Sequence, residues 1–125
     1  YNIYGMTKDS MSYVEMNYVA CKQGDIVGCG NLGWMYATGS SGAEKSYYNA
    51  AKYFTIACDS GHLQSCNNLG VLYDGGFGVR QDKRKAIELF GLACDYGIES
   101  GCHNYSLMKT RGSVSSAGNV FSGLK

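Results

Sequence analysis

Cysteine occurs in this chain only as three matched pairs, Cys21/Cys29, Cys58/Cys66 and Cys94/Cys102. The members of each pair are eight residues apart, and successive pairs are displaced by 37 and then 36 residues. Six cysteines admit many connectivities, but the periodicity selects one, because a bond belonging to a repeating unit lies inside that unit. Other residues keep the same phase. Ala20, Ala57 and Ala93 precede the first cysteines, Gly24, Gly61 and Gly97 lie three residues after them, Asn31, Asn68 and Asn104 ten after, and Gly39, Gly76 and Gly112 eighteen after. Self-similarity of this depth over about 36 residues is the mark of a solenoid, for which about three units are the minimum. The units fall at about 9–45, 46–81 and 82–112, with 113–125 as a C-terminal tail, in a single solenoid domain over 1–125.

Each unit reads as a helix hairpin, which makes the expected fold an all-α, α/α solenoid. In the third unit Asp82 caps a helix whose apolar residues Ala86, Ile87, Leu89, Phe90 and Ala93 keep to one face. Ala50, Ala51, Tyr53, Phe54 and Ala57 repeat that pattern in the second unit. Gly24, Gly61 and Gly97 stop these first helices. A second helix follows, carrying Leu32, Trp34, Met35 and Tyr36 in the first unit and Leu69, Val71, Leu72 and Tyr73 in the second. Its end is marked by Thr38-Gly39-Ser40-Ser41-Gly42 and by Asp74-Gly75-Gly76-Phe77-Gly78. Gly33 and Gly70, inside the second helices, are sites of close helix contact.

On this reading each first cysteine lies in the last turn of a first helix and its partner in the opening turns of the next, so a bond clamps the hairpin across its turn. A ring of about nine residues contributes roughly 2.5 kcal/mol by the chain-entropy estimate, and a quasi-linear array needs such support because each repeat is buried only by its neighbours. The competing interpretation is six reduced thiols packed as small apolar residues at equivalent core positions. Metal binding fits poorly: the spacing is not that of a zinc knuckle, and His62 and His103 occupy different repeat positions.

The run Asn68-Leu69-Gly70-Val71-Leu72-Tyr73-Asp74-Gly75-Gly76-Phe77-Gly78-Val79, continuing through Asp82, Lys85-Ala86 and Ala93-Cys94-Asp95-Tyr96-Gly97, resembles the Sel-like repeat, a relative of the tetratricopeptide repeat. With its cysteine pairs the chain is similar to the Helicobacter cysteine-rich proteins, secreted bacterial proteins whose repeats each carry one disulfide between their two helices. The resemblance spans about residues 9–112 and is strongest over 50–104. It departs from the pattern at Ser40–Lys45, which lacks the usual glycine-valine and aspartate, and at Tyr105-Ser106, which replaces leucine-glycine. The family has been associated with penicillin binding and weak β-lactamase activity, which the resemblance implies as an alternative function.

That activity requires a serine followed by lysine three residues later. Ser106-Leu107-Met108-Lys109 and Ser122-Gly123-Leu124-Lys125 both match, but thirteen serines and eight lysines yield about one match by chance, and the companion serine-aspartate-asparagine and lysine-threonine-glycine motifs are missing. His62 follows a helix-terminating glycine, and His103 has no evident carboxylate or nucleophile partner. The cysteine pairs lack the two-residue separation of redox sites. No catalytic residue, metal ligand or cofactor is therefore assigned.

Net charge +1 disfavours a nucleic-acid partner, and no apolar run approaches membrane-spanning length. Persistent disulfides place the chain in the periplasm, at the cell surface or in the medium. A start at Tyr1 with neither methionine nor leader reads as a mature chain with its signal peptide removed, or as a fragment.

Recognition of a protein or peptide is the expected function. Helix-pair solenoids line their concave face with first helices, which selects Met11, Glu15 and Tyr18, then Tyr47, Tyr48 and Lys52, then Arg84 and Glu88 as the binding row. Tyrosine suits such contacts, although packing within the solenoid also uses it. The alternative is self-association, either head to tail through open repeat faces or through the tail, whose Val114, Val120, Phe121 and Leu124 offer an apolar connector. The apolar start Tyr1-Asn2-Ile3-Tyr4-Gly5-Met6 is a further candidate contact. Asn104-Tyr105-Ser106 is formally a glycosylation sequon, accidental on a helix beside a disulfide.

Overall fold

Side chains and glycines divide the described residues into six helices. In the computed structural model, which describes residues 2–3, 6–7 and 11–114, these are α1 (Tyr13–Lys22), α2 (Ile26–Thr38), α3 (Tyr47–Asp59), α4 (Leu63–Gly75), α5 (Lys83–Asp95) and α6 (Glu99–Arg111). The first helices α1, α3 and α5 start where the side chains of Ser12, Ser46 and Asp82 accept the backbone N–H three residues on, satisfying a donor that the helix itself leaves open. The second helices α2, α4 and α6 all end on a glycine in the left-handed region, Gly39, Gly76 and Gly112, with φ of 72°, 70° and 77°, a conformation that costs glycine little. Ahead of them, β1 (Asn2–Ile3) and β2 (Met6–Thr7) pair antiparallel, Ile3 opposite Met6. Residues 2–3 and 6–7 thus pair as a short ribbon that helical periodicity did not anticipate.

The helices pair as hairpins α1/α2, α3/α4 and α5/α6, and each second helix also packs on the first helix of the next unit, α2 on α3 and α4 on α5. This second kind of contact depends on glycine. Phe54 of α3 and Phe90 of α5 are fully buried, their rings lying against Gly33 of α2 and Gly70 of α4. A Cβ there would stand 2.5 Å from the Phe54 ring and 2.7 Å from that of Phe90, so the phenyl fits only where no side chain exists. At the equivalent position of the first unit stands Asn17, buried and bonded to Asn31 of its own hairpin at 3.1 Å. At the equivalent of the two glycines in the third unit stands exposed Ser106.

All six cysteines are paired as the repeat phase requires, Cys21–Cys29, Cys58–Cys66 and Cys94–Cys102, with Cα–Cα distances of 4.6, 4.7 and 4.5 Å. The reduced-thiol reading is thereby excluded. Each bond ties the last turn of a first helix to the opening of the second, across Gly24, Gly61 or Gly97, all of positive φ.

One polar group breaks the repeat pattern. Asp74 of α4 is wholly buried where the first and third units carry Ala37 and Thr110. Its carboxylate accepts from Lys83 Nζ at 2.8 Å, from Ser113 Oγ at 2.9 Å and from the Val114 N–H at 3.0 Å. It thus joins the start of α5 and the residues after α6 to the end of α4. Burial alone would push the Asp74 carboxyl up, but these three donors outweigh it and hold the group below the usual carboxylate range. A depressed folded value stabilises the fold in full above the unfolded carboxyl value of about 4, and that contribution is lost as pH falls below it. We expect Asp74→Asn to cost about 1–3 kcal/mol at neutral pH. It should also flatten the stability loss below pH ~4, as followed by urea unfolding across pH. An unchanged acid limb would remove Asp74 as its source.

Candidate binding face and its tyrosine–lysine cluster

The eight residues expected to form a binding row divide by what holds them. Glu15 is engaged at a helix start: Ser12 and Glu15 form a reciprocal capping box, the Ser12 N–H donating to Glu15 Oε1 at 2.8 Å and the Glu15 N–H to Ser12 Oγ at 3.1 Å. Met11, expected on the first helix, precedes its Ser12 cap and so lies outside α1; it and Tyr18 are half-buried. Tyr47 is also half-buried, its ring 5.1 Å from that of Phe77, and its peptide meets Gly78, where any Cβ would overlap the Tyr47 carbonyl. Tyr48, Lys52, Arg84 and Glu88 stand in solvent. Tyr48 is 72% exposed and shares with Ala51, Lys52, Thr55, Gly78 and Val79 an open groove of about 320 Å³ between α3 and the loop after α4.

Sequence reasoning named Tyr18 and Lys52 as binding residues but missed Tyr36, Tyr53 and Lys22, with which they form a second group at the junction of the first two units. Tyr36 of α2 stacks on Tyr53 of α3, ring centroids 5.9 Å apart and planes 11° from parallel. Tyr18 of α1 packs against the same cluster. Lys22 lies over the Tyr18 ring at 5.5 Å and Lys52 over the Tyr53 ring at 5.3 Å, distances at which the ring quadrupole attracts an ammonium. Burial, then the neighbouring phenols of Tyr18 and Tyr36, push the Tyr53 phenol up, with Lys22 opposing. The available signal was that Tyr53 has Leu89 at its repeat equivalent: a core that accepts leucine has no need of a hydroxyl.

Of the repeated asparagines, Asn31 and Asn104 are structural, while Asn68 accepts from Gln64 of its own helix at 3.5 Å and its neighbour Asn67 makes the contacts between units. Asn31 donates to Asn17, Asn104 to Asn67 Oδ1 at 3.0 Å, and Asn67 to Ser100 at 3.2 Å, tying α4 to α6. The Asn104 amide is engaged there, which leaves the sequon a coincidence of sequence. His62 Nδ1 lies 2.6 Å from Ser65 Oγ, and Ser65 is wholly buried. Among the described residues no group of His, Cys, Asp or Glu is placed to hold a metal ion, and no helix is long and apolar enough to cross a membrane. Of the four tail residues, Val114 packs against the core of its own chain; Val120, Phe121 and Leu124 lie outside the described residues.

Several solved structures share this architecture. A protective antigen present in uropathogenic Escherichia coli strains, displaying an SLR fold, is 30% identical with a TM-score of 0.73, over 78% of this chain and 21% of its own length. Cysteine rich protein B of Helicobacter pylori is 28% identical, TM-score 0.67, over 79% of this chain and 72% of its own. A Sel1 repeat protein from Oxalobacter formigenes, 22% identical, shares the fold with a TM-score of 0.72 over 82% of this chain and 42% of its own. The chain thus spans about a fifth of the antigen. Comparison with curated proteins gives no match. The Sel1 repeat itself matches residues 26–62 and 63–97, a frame that pairs α2 with α3 and α4 with α5, the two contacts built on Phe54 and Phe90. With more than half of its length in two such matches, the chain belongs to the Sel1 repeat family, as a disulfide-bonded scaffold of the kind that mediates protein–protein interaction.

Proposed function

We propose that this chain is an exported scaffold that binds another protein or a peptide along the solvent side of its first helices. The observation carrying this reading is Tyr48, a large amphipathic side chain left 72% exposed beside a groove floored by Ala51 and Val79, which suits an interface anchor. Lys52 in the same groove, and Arg84 and Glu88 one unit on, add charges that select among partners. Three disulfides favour the periplasm, the cell surface or the medium, as does the likeness to a Helicobacter cysteine-rich protein.

The other readings have less behind them. Ser106 is exposed, and Lys109 holds its ammonium over the Tyr105 ring at 5.5 Å, so the serine-lysine pair has little to recommend it as an acyl-transfer site. Head-to-tail stacking that reuses the inter-repeat contact meets Asn17 where a phenyl is needed and Ser106 where a glycine is needed. The root of the tail is bound in cis through Asp74.

A photo-crosslinking amino acid at position 48 should capture a partner in the producing cell's envelope or medium, and one at exposed Val27 on α2 should not. Equal capture at both positions would count against the first-helix face.

A further inference from the structure

We propose that the tyrosine–lysine cluster at the junction of α1, α2 and α3 binds a carboxylate of the partner; this deepens the reading above and rests on it. Tyr18, Tyr36 and Tyr53 meet there from three helices, with Lys22 over the first ring and Lys52 over the third. The cluster is rich in donors and has no acidic group of its own. Among the described residues the only ion pair is Lys83–Asp74, so neither lysine is neutralised. None of the three hydroxyls has a hydrogen-bond partner there, and no buried side-chain oxygen is left unpaired, so the hydroxyls sit at the solvent edge.

Two ammoniums and three phenolic O–H groups at the solvent edge make a donor site for a small anion, joined by charge-assisted hydrogen bonds. The aromatic faces hold the lysine stems in place beforehand, which lowers the ordering cost of binding.

The repeat supplies an internal control. One unit further on, the positions of Tyr18, Lys22, Lys52 and Tyr53 carry Thr55, Asp59, Glu88 and Leu89. Tyr36 keeps a tyrosine, Tyr73, at its equivalent, so the same scaffold packs without two of the three phenols and with both charges reversed; Tyr18, Tyr53 and the two lysines are an addition to the fold and not a requirement of it. In a chain that recognises protein or peptide, the matching anion is a carboxylate, from an acidic side chain or from a chain terminus.

The test uses the oxidised full chain and three probes at fixed ionic strength: acetyl-diglycine as free acid, the same peptide as its amide, and acetyl-Gly-Glu-Gly-amide. Saturable NMR shifts of the Tyr18, Tyr36 and Tyr53 ring resonances are expected with the free acid or the glutamate peptide and not with the neutral amide. Response to the free acid alone identifies a chain terminus as the source; response to both identifies any carboxylate. Lys22→Met with Lys52→Met, which keeps an apolar stem at each position, should weaken the response about tenfold.

Shifts of equal size with acid and amide overturn the proposal, as does an unchanged response in the double variant. Should the double variant melt lower than the parent, the acid-against-amide comparison on the parent decides alone. The position-48 cross-link separates the two readings. Capture that persists while acid discrimination is absent removes the carboxylate site and leaves the binding face standing.

Discussion

Reduction of the three disulfides is expected to leave the chain largely unfolded at 37 °C. Each bond closes a ring of eight-residue separation and contributes about 2.5 kcal/mol by the chain-entropy estimate. Three together approach the ~5–15 kcal/mol that holds a domain of this size. The units cannot compensate, because each is buried only by its neighbours along the array. At roughly 4–8 °C per kcal/mol for a domain near 100 residues, loss of all three lowers the melting midpoint by tens of degrees. Removing only the middle bond, by Cys58→Ser with Cys66→Ser, should lower it by about 10–20 °C. Circular dichroism melts with and without a phosphine reductant measure both effects. A reduced chain that keeps its midpoint within a few degrees would show that packing alone carries the fold.

Phe54→Ala and Phe90→Ala should each cost about 3–5 kcal/mol, the upper range for a large-to-small core change. Both rings are wholly buried and press on glycine backbone. No neighbouring side chain on that side can swing in to refill the space, so the cavity stays open and its cost stays high. The damage should also be directional. Phe54→Ala loosens the first unit from the second, and Phe90→Ala the second from the third, which amide hydrogen exchange resolves as loss of protection in one outer hairpin before the other. The converse change, Gly33→Ala, puts a Cβ 2.5 Å from the ring and should cost about 1–3 kcal/mol by overpacking. Uniform loss of protection through all six helices in either phenylalanine variant would contradict contacts confined to one junction.

What the sequence disclosed and what it hid separate along the repeat. Features that recur every 36 or 37 residues, namely the cysteine pairs, the terminating glycines, Asp82 as a cap and Gly33 and Gly70 as close contacts, were legible because the same local requirement is written more than once. Features that occur once were not. Asp74 looked like part of a repeat motif, yet its three partners come from the start of α5 and from residues 113 and 114, a convergence no periodicity encodes. Tyr47 and Tyr48 are adjacent and alike in composition, but the helical turn sends the first against Phe77 and the second into solvent. Glu15 fell in the predicted row by phase, and its proximity to Ser12 made it a cap instead. The family resemblance gave the framework and said little of the cluster at Tyr18, Tyr36 and Tyr53, which belongs to one junction only.

The shortness of the disulfide rings bears on how the chain acquires them. In the unfolded polypeptide every cysteine has its native partner eight residues away, whereas the nearest competing pairings, Cys29 with Cys58 and Cys66 with Cys94, span 29 and 28 residues. Loop closure becomes less probable as about the three-halves power of length, so chain statistics favour each native bond over its nearest rival by about six- to sevenfold. Oxidation can therefore select the correct pairing among neighbours before any helix has packed, and a chain emerging into an oxidising compartment in N-to-C order meets its partners in the right sequence. Correct bonding is thus set by proximity along the thread, and demand for disulfide isomerisation falls accordingly.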